Sequence, residues 1–375
     1  DEGFEMPREK LAADAWTLEP PGVMALMEKI RRVGVPLKEF AGVEIFRGVT
    51  TGLNEAFLID GPTKAALVEA DPKSAEIIKP YLRGQDVARW IPEWDGMWMI
   101  FTRRGIDIDS YSAAKQHLLQ FRDRLEPKPQ GTTGEWKGRK AGAYRWFEIQ
   151  DSTDYWKLFE RAKIFYQEIQ FHSAYAVGQP GMYGNNKTSF IPTEDLFLLS
   201  VLNSPLMWWF NWRYLPHMKD EALAPVGYRM EELPIARPTE GIRNSVEQAV
   251  RRLLGIAGEE QAGRRAVLDW LRVEFAVEKA SQKLQDVAAL DPGVLVDEVK
   301  KARGKKKPLS VADLKRLREE HGRSIVPLQT LAAEARGLEQ QVAELVNAAY
   351  GLTAEEAALM WKTAPPRMPG EPPAS

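Results

Sequence analysis

The 375-residue sequence contains no cysteine, which excludes disulfides and thiolate metal sites and fits a reducing cytoplasm. Histidine is scarce. His117, His172, His217 and His321 are scattered without the spacing of a metal-ligand set, so no metal is implied. Long apolar runs are missing too. The most apolar segment, Leu196 to Leu215, is interrupted by Asn203, Ser204, Pro205, Asn211 and Arg213, well short of the roughly 20 residues of a membrane span. It reads as two buried helices around an Asn-Ser-Pro break, the second rich in tryptophan. Neither sign of charge dominates: a net charge of −2 argues against a general coat of affinity for nucleic acid. The polar start, Asp1 to Lys10, lacks the apolar core of a secretory signal and reads as a cut within a longer protein.

What is present is enough for a sizeable core, with 44% hydrophobic and 28% charged residues, and the length suits two domains. Val23, Leu26, Met27 and Ile30 recur at helical spacing and predict a connecting helix within a leader segment, residues 1–40. From 41 to 238, β-branched and aromatic runs such as Val43–Phe46, Trp98–Phe101 and Lys163–Gln167 alternate with helical stretches such as Ser112–Leu125. Residues 239–362 are almost wholly helical, with Ala332, Leu338, Val342, Leu345, Val346 and Ala349 on one apolar stripe. The boundary falls at Leu233-Pro234-Ile235-Ala236-Arg237-Pro238, where two prolines forbid helix continuation. Residues 363–375 read as a disordered, proline-rich tail. The expected fold class is α+β: a mixed α/β domain followed by a mainly α-helical C-terminal domain.

Two stretches carry polar chemistry. Gly48-Val49-Thr50-Thr51-Gly52-Leu53-Asn54-Glu55-Ala56-Phe57 joins two turn-forming glycines to short hydrogen-bonding side chains. It reads either as a hairpin turn between strands Val43–Phe46 and Ala56–Ile59 or as a loop that touches a phosphate or base edge. Between Lys128 and Arg145 stand Lys128, Lys137, Arg139, Lys140 and Arg145 against only Glu135, interleaved with Trp136, Tyr144 and Trp146. That is either a DNA-facing surface or a solvated charged loop.

Later landmarks follow the glycine stretch in order: Ile77-Ile78-Lys79-Pro80-Tyr81-Leu82-Arg83-Gly84-Gln85-Asp86, Trp136-Lys137-Gly138-Arg139-Lys140, Arg145-Trp146-Phe147-Glu148-Ile149-Gln150-Asp151, Ala162-Lys163-Ile164-Phe165-Tyr166, Leu199-Ser200-Val201-Leu202-Asn203-Ser204-Pro205 and Ala349-Tyr350-Gly351-Leu352-Thr353-Ala354-Glu355-Glu356. From about Leu18 to Pro366 the chain resembles the target-recognition (specificity) region and C-terminal tail of large adenine-N6 DNA methyltransferases, the Taq-type enzymes and their type IIG restriction–modification and BREX-like relatives. The resemblance implies that the chain reads double-stranded DNA. It also implies that an N-terminal methyltransferase domain, of the same polypeptide or a partner subunit, supplies the chemistry with S-adenosylmethionine. Thr51, Asn54, Arg83, Arg139, Lys140, Tyr144 and Arg145 are the expected DNA contacts, and Glu148 and Gln150 could read base edges or brace the loop.

The chemical half is absent from the sequence. The Pro-Pro pairs, Pro20-Pro21, Pro365-Pro366 and Pro372-Pro373, lack the Asn/Asp before and aromatic after that grip a flipped adenine, and no Gly-x-Gly follows a strand. No catalytic residue and no cofactor are therefore assigned to this chain. Glu298-Val299-Lys300 matches a nuclease tripeptide but lies in a helical pattern. His217-Met218-Lys219 suggests a phospholipase-D style nuclease, yet Ala224 stands where that motif needs aspartate. The basic run Lys300 to Lys307 reads either as a clamp on a phosphate backbone or as a solvated inter-helix loop, and Asn186-Lys187-Thr188 is a glycosylation sequon without meaning in a cytoplasmic chain. Two alternatives remain: a specificity subunit of a type I-like restriction system, or a protein-interaction module of a defence complex.

Overall fold

The computed structural model describes residues 19–304 and 308–372; the first part of the leader segment, residues 305–307 of the basic run and the last three residues of the tail lie outside the described residues. The chain divides into two compact units, one running up to Arg237 and including Leu352–Pro369, the other spanning Pro238–Gly351.

The first unit opens with helix α1, Pro21–Val33, whose proline at the start needs no amide partner. Val23, Leu26, Met27 and Ile30 are all buried, the face their spacing predicts. The strands are β1 Gly34–Pro36, β2 Phe46–Arg47, β3 Leu58–Ile59, β4 Ile78–Leu82, β5 Trp98–Ile100, β6 Lys163–Gln167, β7 Tyr175–Gly178, β8 Tyr183–Gly184, β9 Thr188–Ile191 and β10 Pro234–Ala236. One sheet has the order β2-β9-β6-β7 and is antiparallel throughout; a second has the order β3-β5-β4-β8, with β4 and β8 parallel; β1 and β10 form an antiparallel pair. A single apolar core takes Phe165 and Phe190 from the first sheet and Ile78, Tyr81, Met99 and Tyr183 from the second. Its centre is an aromatic cluster in which the Phe159 ring lies 4.4 Å from that of Tyr183 and 4.5 Å from that of Phe190.

Helix α2, Ser112–Leu119, is followed by a separate helical turn, Arg122–Leu125. The apolar segment forms α3, Leu196–Leu202, and α4, Pro205–Tyr214, with every residue from Leu196 to Leu202 and from Pro205 to Asn211 buried. Asn203 at the break is fully buried: its amide nitrogen donates to the Tyr175 carbonyl at 2.9 Å and its Oδ1 accepts from the Tyr175 amide at 3.1 Å. One side chain thus supplies both pairings a strand would give β7. Ser204 caps α4 by accepting from the Met207 amide.

In the second unit a 36-residue helix, α5 Glu240–Phe275, packs along α8, Val326–Ala349. Between them in sequence lie α6, Pro292–Arg303, and α7, Val311–Glu320. A wider π-helical turn, His321–Ile325, leads from α7 into α8, and the buried His321 ring nitrogen lies 2.7 Å from the Leu290 carbonyl oxygen. Val267, Leu271, Phe275, Leu295, Val299, Leu317 and Ile325 form the core. On the expected stripe Val342 and Val346 are buried, and the other four residues are half-buried. The Glu298-Val299-Lys300 tripeptide lies within α6, and the Glu298 carboxylate accepts from Ser281 and Lys301.

The C-terminal boundary differs from the sequence reading, which put residues 239–362 in one helical domain and everything from 363 in a disordered tail. Leu352–Pro369 belongs to the first unit. Helix α9, Ala354–Lys362, starts at a Thr353–Glu356 capping box, and Glu356 pairs with Lys29 of α1 at 2.5 Å. Trp208 and Trp209 of α4 donate their indole N–H groups to the Pro366 carbonyl and the Thr363 hydroxyl, each at 3.0 Å. A buried indole needs such an acceptor, and that need fixes the tail. Among the described residues no helix is long and apolar enough to cross a membrane.

Candidate nucleic-acid interface

The glycine stretch is not a hairpin. β2 and β3 lie in different sheets, and the stretch crosses from one to the other. Gly48 donates to the Thr188 carbonyl and Val49 to the Gly184 carbonyl, both at 2.8 Å. A Cβ on Gly48 would stand 1.9 Å from the Asn185 carbonyl oxygen, so only glycine fits. Gly52, at φ +84°, leaves room for the Arg139 side chain, whose Cδ a Cβ would meet at 2.9 Å. Both glycines serve close packing. Thr51 is buried, and its hydroxyl donates to Asn54 Oδ1 at 2.7 Å. The Thr50 amide donates to Asp151 Oδ2 at 2.8 Å.

Arg139 ties this loop to the basic one from the inside. Only 4% exposed, it donates Nε to the Leu125 carbonyl at 2.8 Å, Nη1 to those of Thr51 and Glu148 at 3.1 and 2.7 Å, and Nη2 to those of Arg145 and Trp146 at 3.2 and 2.8 Å. Its guanidinium also faces the Tyr144 ring at 4.5 Å. Burial lowers its pKa to about 10. Tyr144 is buried and donates its hydroxyl to the Lys140 carbonyl. Glu148, also buried, accepts from the amides of Gly105 and Arg145 at 2.8 and 2.9 Å.

These contacts correct part of the expected site. Arg139, Thr51 and Tyr144 cannot meet DNA because their polar groups are enclosed and engaged, and Glu148 braces the loop instead of reading a base. Arg83 is half-exposed but bound to Asp86 at 2.7 Å and to Asp95 at 2.9 Å, so its charge is already neutralised. Lys140, Arg145 and Asn54 are exposed, and neither Lys140 nor Arg145 has an acidic partner among the described residues.

A cavity of about 370 Å³ opens beside the glycine stretch, lined by residues 49–55 with Tyr81 and Asn186. Asn186 and the exposed Lys187 sit on the tight turn between β8 and β9. The sequence reading missed them, setting the tripeptide aside as a sequon. The available signal was a three-residue polar turn, Asn-Asn-Lys, between aromatic strand-like runs.

Residues 79–235 match the family model described as the TaqI-like C-terminal specificity domain. The chain contains a target-recognition region. Residues 239–346 match a second model, described as a domain of unknown function (DUF8810). The recognition region overlaps both sheets of the first unit and ends in β10. The chain is similar to the type II methyltransferase M.PaeR7I of Pseudomonas aeruginosa, with 26% identity over 195 residues, covering 51% of this chain and 31% of that protein. Among solved structures, a type IIL restriction–modification enzyme, MmeI, in complex with DNA superposes with a TM-score of 0.47 at 13% identity over 86% of this chain and 35% of that one. The type IIG restriction endonuclease BpuSI gives a TM-score of 0.37 at 11% identity, over 82% and 34%. The chain thus spans about a third of the length of these relatives.

Proposed function

We propose that this chain is the DNA-reading portion of a restriction–modification protein whose chemistry is adenine-N6 methylation. The observation that supports it best is the match of residues 79–235 to a specificity domain, on the unit that also presents Lys137, Lys140, Arg145 and Lys187 exposed and without acidic partners among the described residues. Free lysine and arginine heads release counterions when they meet phosphates, which gives register and affinity without sequence information. The catalytic domain, with its S-adenosylmethionine, belongs to the rest of the polypeptide or to a partner subunit, and the assembly works on cytoplasmic DNA.

The test is fluorescence anisotropy with labelled random-sequence duplex across a salt series. Binding that weakens linearly in log K against log salt supports the reading; no binding at low salt overturns it.

A further inference from the structure

Resting on the DNA reading above, we infer that Asn186 reads a base edge, with adenine in the major groove as its partner. Three observations carry this. First, the turn that holds Asn186 is rigid. Asn185 donates its amide to the Leu82 carbonyl at 2.9 Å, accepts the Thr188 amide and hydroxyl on its own carbonyl, and accepts the Lys187 amide on Oδ1 at 3.0 Å. Arg47 then donates Nε to the Asn186 carbonyl at 3.0 Å while held by Glu168 at 2.6 Å. The neighbouring Asn185 side chain and the Asn186 backbone are thereby engaged in the frame, and the Asn186 carboxamide has no partner among the described residues.

Second, Asn186 lines the same cavity as Asn54, and the Gly48 approach to the Asn185 carbonyl locks the two loops together. Thr51 donates to Asn54 Oδ1, and the Nδ2 donors of the exposed Asn54 are not taken up by that bond. Third, the next residue, Lys187, is exposed and unpaired among the described residues, a phosphate-seeking charge beside a base-reading amide. An asparagine offers one acceptor and one donor at the spacing of adenine N6 and N7, a pairing that discriminates about 5- to 150-fold against a wrong base. A carboxylate at the same place would accept only, and would favour cytosine N4.

The experiment is enrichment of random duplexes on the full chain, run in parallel on the unaltered protein and on Asn186→Ala, Asn186→Asp and Lys187→Ala, with thermal unfolding of each as a folding control. The expected result is a motif for the unaltered chain, loss of information at one adenine position for Asn186→Ala, and a shift from adenine to cytosine there for Asn186→Asp. Lys187→Ala should keep the motif and lower the salt slope by about 1. If both Asn186 variants return the unaltered motif, the inference is overturned while the DNA reading stands. If the unaltered chain enriches nothing, the DNA reading falls and the inference with it. If a variant does not fold, Asn186 is a scaffold residue and the inference is likewise wrong.

Discussion

Arg139 Nη1 stands 3.1 Å from the Thr51 carbonyl oxygen, and through that bond the glycine loop and the basic loop are one piece of structure. The same guanidinium holds the end of the helical turn at Leu125 and the 145–148 loop.

Arg139→Ala should therefore act on folding. It strands several buried carbonyls, and a loss of about 3 kcal/mol in urea unfolding is expected from the loss of charge-assisted hydrogen bonds. Arg139→Lys should recover only part of it, because a lysine cannot fork. A stability change below about 1 kcal/mol on alanine substitution would show the five bonds to be dispensable.

Lys140→Ala with Arg145→Ala should act on binding. The double variant should unfold like the unaltered chain while the slope of log K against log salt falls by about 2, one for each phosphate contact. An unaltered slope would mean that the basic loop is only solvated.

Lys163 gives a pH prediction. It is fully buried at the start of β6, its ammonium donating to the carbonyls of Gln179 and Met182 at 3.0 and 3.3 Å, and burial lowers its pKa to about 7. In the unfolded chain its pKa is near 10.4, so above pH 7 the unfolded state binds more protons and stability rises with pH. The cost of the buried charge is fully present below pH 7 and is relieved between pH 7 and about 10. From pH 7 to 9 this contributes about 2 kcal/mol. Lys163→Met should flatten that part of the curve in urea unfolding at several pH values. Equal slopes for the two proteins would mean that Lys163 titrates in its ordinary range.

The tail gives another. A chain ended at Arg237 loses the acceptors of Trp208 and Trp209 and the Lys29–Glu356 pair. Its thermal transition should broaden or disappear, and a synthetic peptide of residues 352–369 should restore it. A sharp transition in the short chain without the peptide would show the tail to be dispensable.

The chain alone should give no heat on titration with S-adenosylmethionine, since neither the glycine turn nor the Asn-Pro-Pro-Tyr-type motif for that chemistry is present. A micromolar dissociation constant would contradict the assignment of the cofactor to another domain.

Local features were legible in the sequence. The apolar spacing of Val23, Leu26, Met27 and Ile30 marks α1, the run Lys163–Gln167 is β6 itself, and the Asn-Ser-Pro break falls between α3 and α4. Long-range features were not. Nothing in Val43–Phe46 says that β2 pairs with β9 instead of β3, because a strand's partner is chosen by the whole sheet. The return of Leu352–Pro369 to the first unit rests partly on a backbone carbonyl, which carries no sequence signal. Arg139 and Lys140 are neighbours of like charge, and only burial separates the brace from the exposed cation. Asn186 was hidden for the opposite reason: it belongs to a familiar tripeptide that suggested a different chemistry.

The five groups that Arg139 grips are all main-chain oxygens, and its grip on the 145–148 loop therefore does not depend on which side chain stands at 145, whereas the buried Thr51, Leu125 and Glu148 belong to the frame themselves. The exposed Arg145 can mutate while the two loops keep their positions. Asn54 lies three residues past the Thr51 anchor and Asn186 on the turn behind Gly48, so both can drift on a frame that does not move. A lineage or an engineer could change what this surface prefers one position at a time, so long as Arg139, Gly48 and Gly52 are left alone.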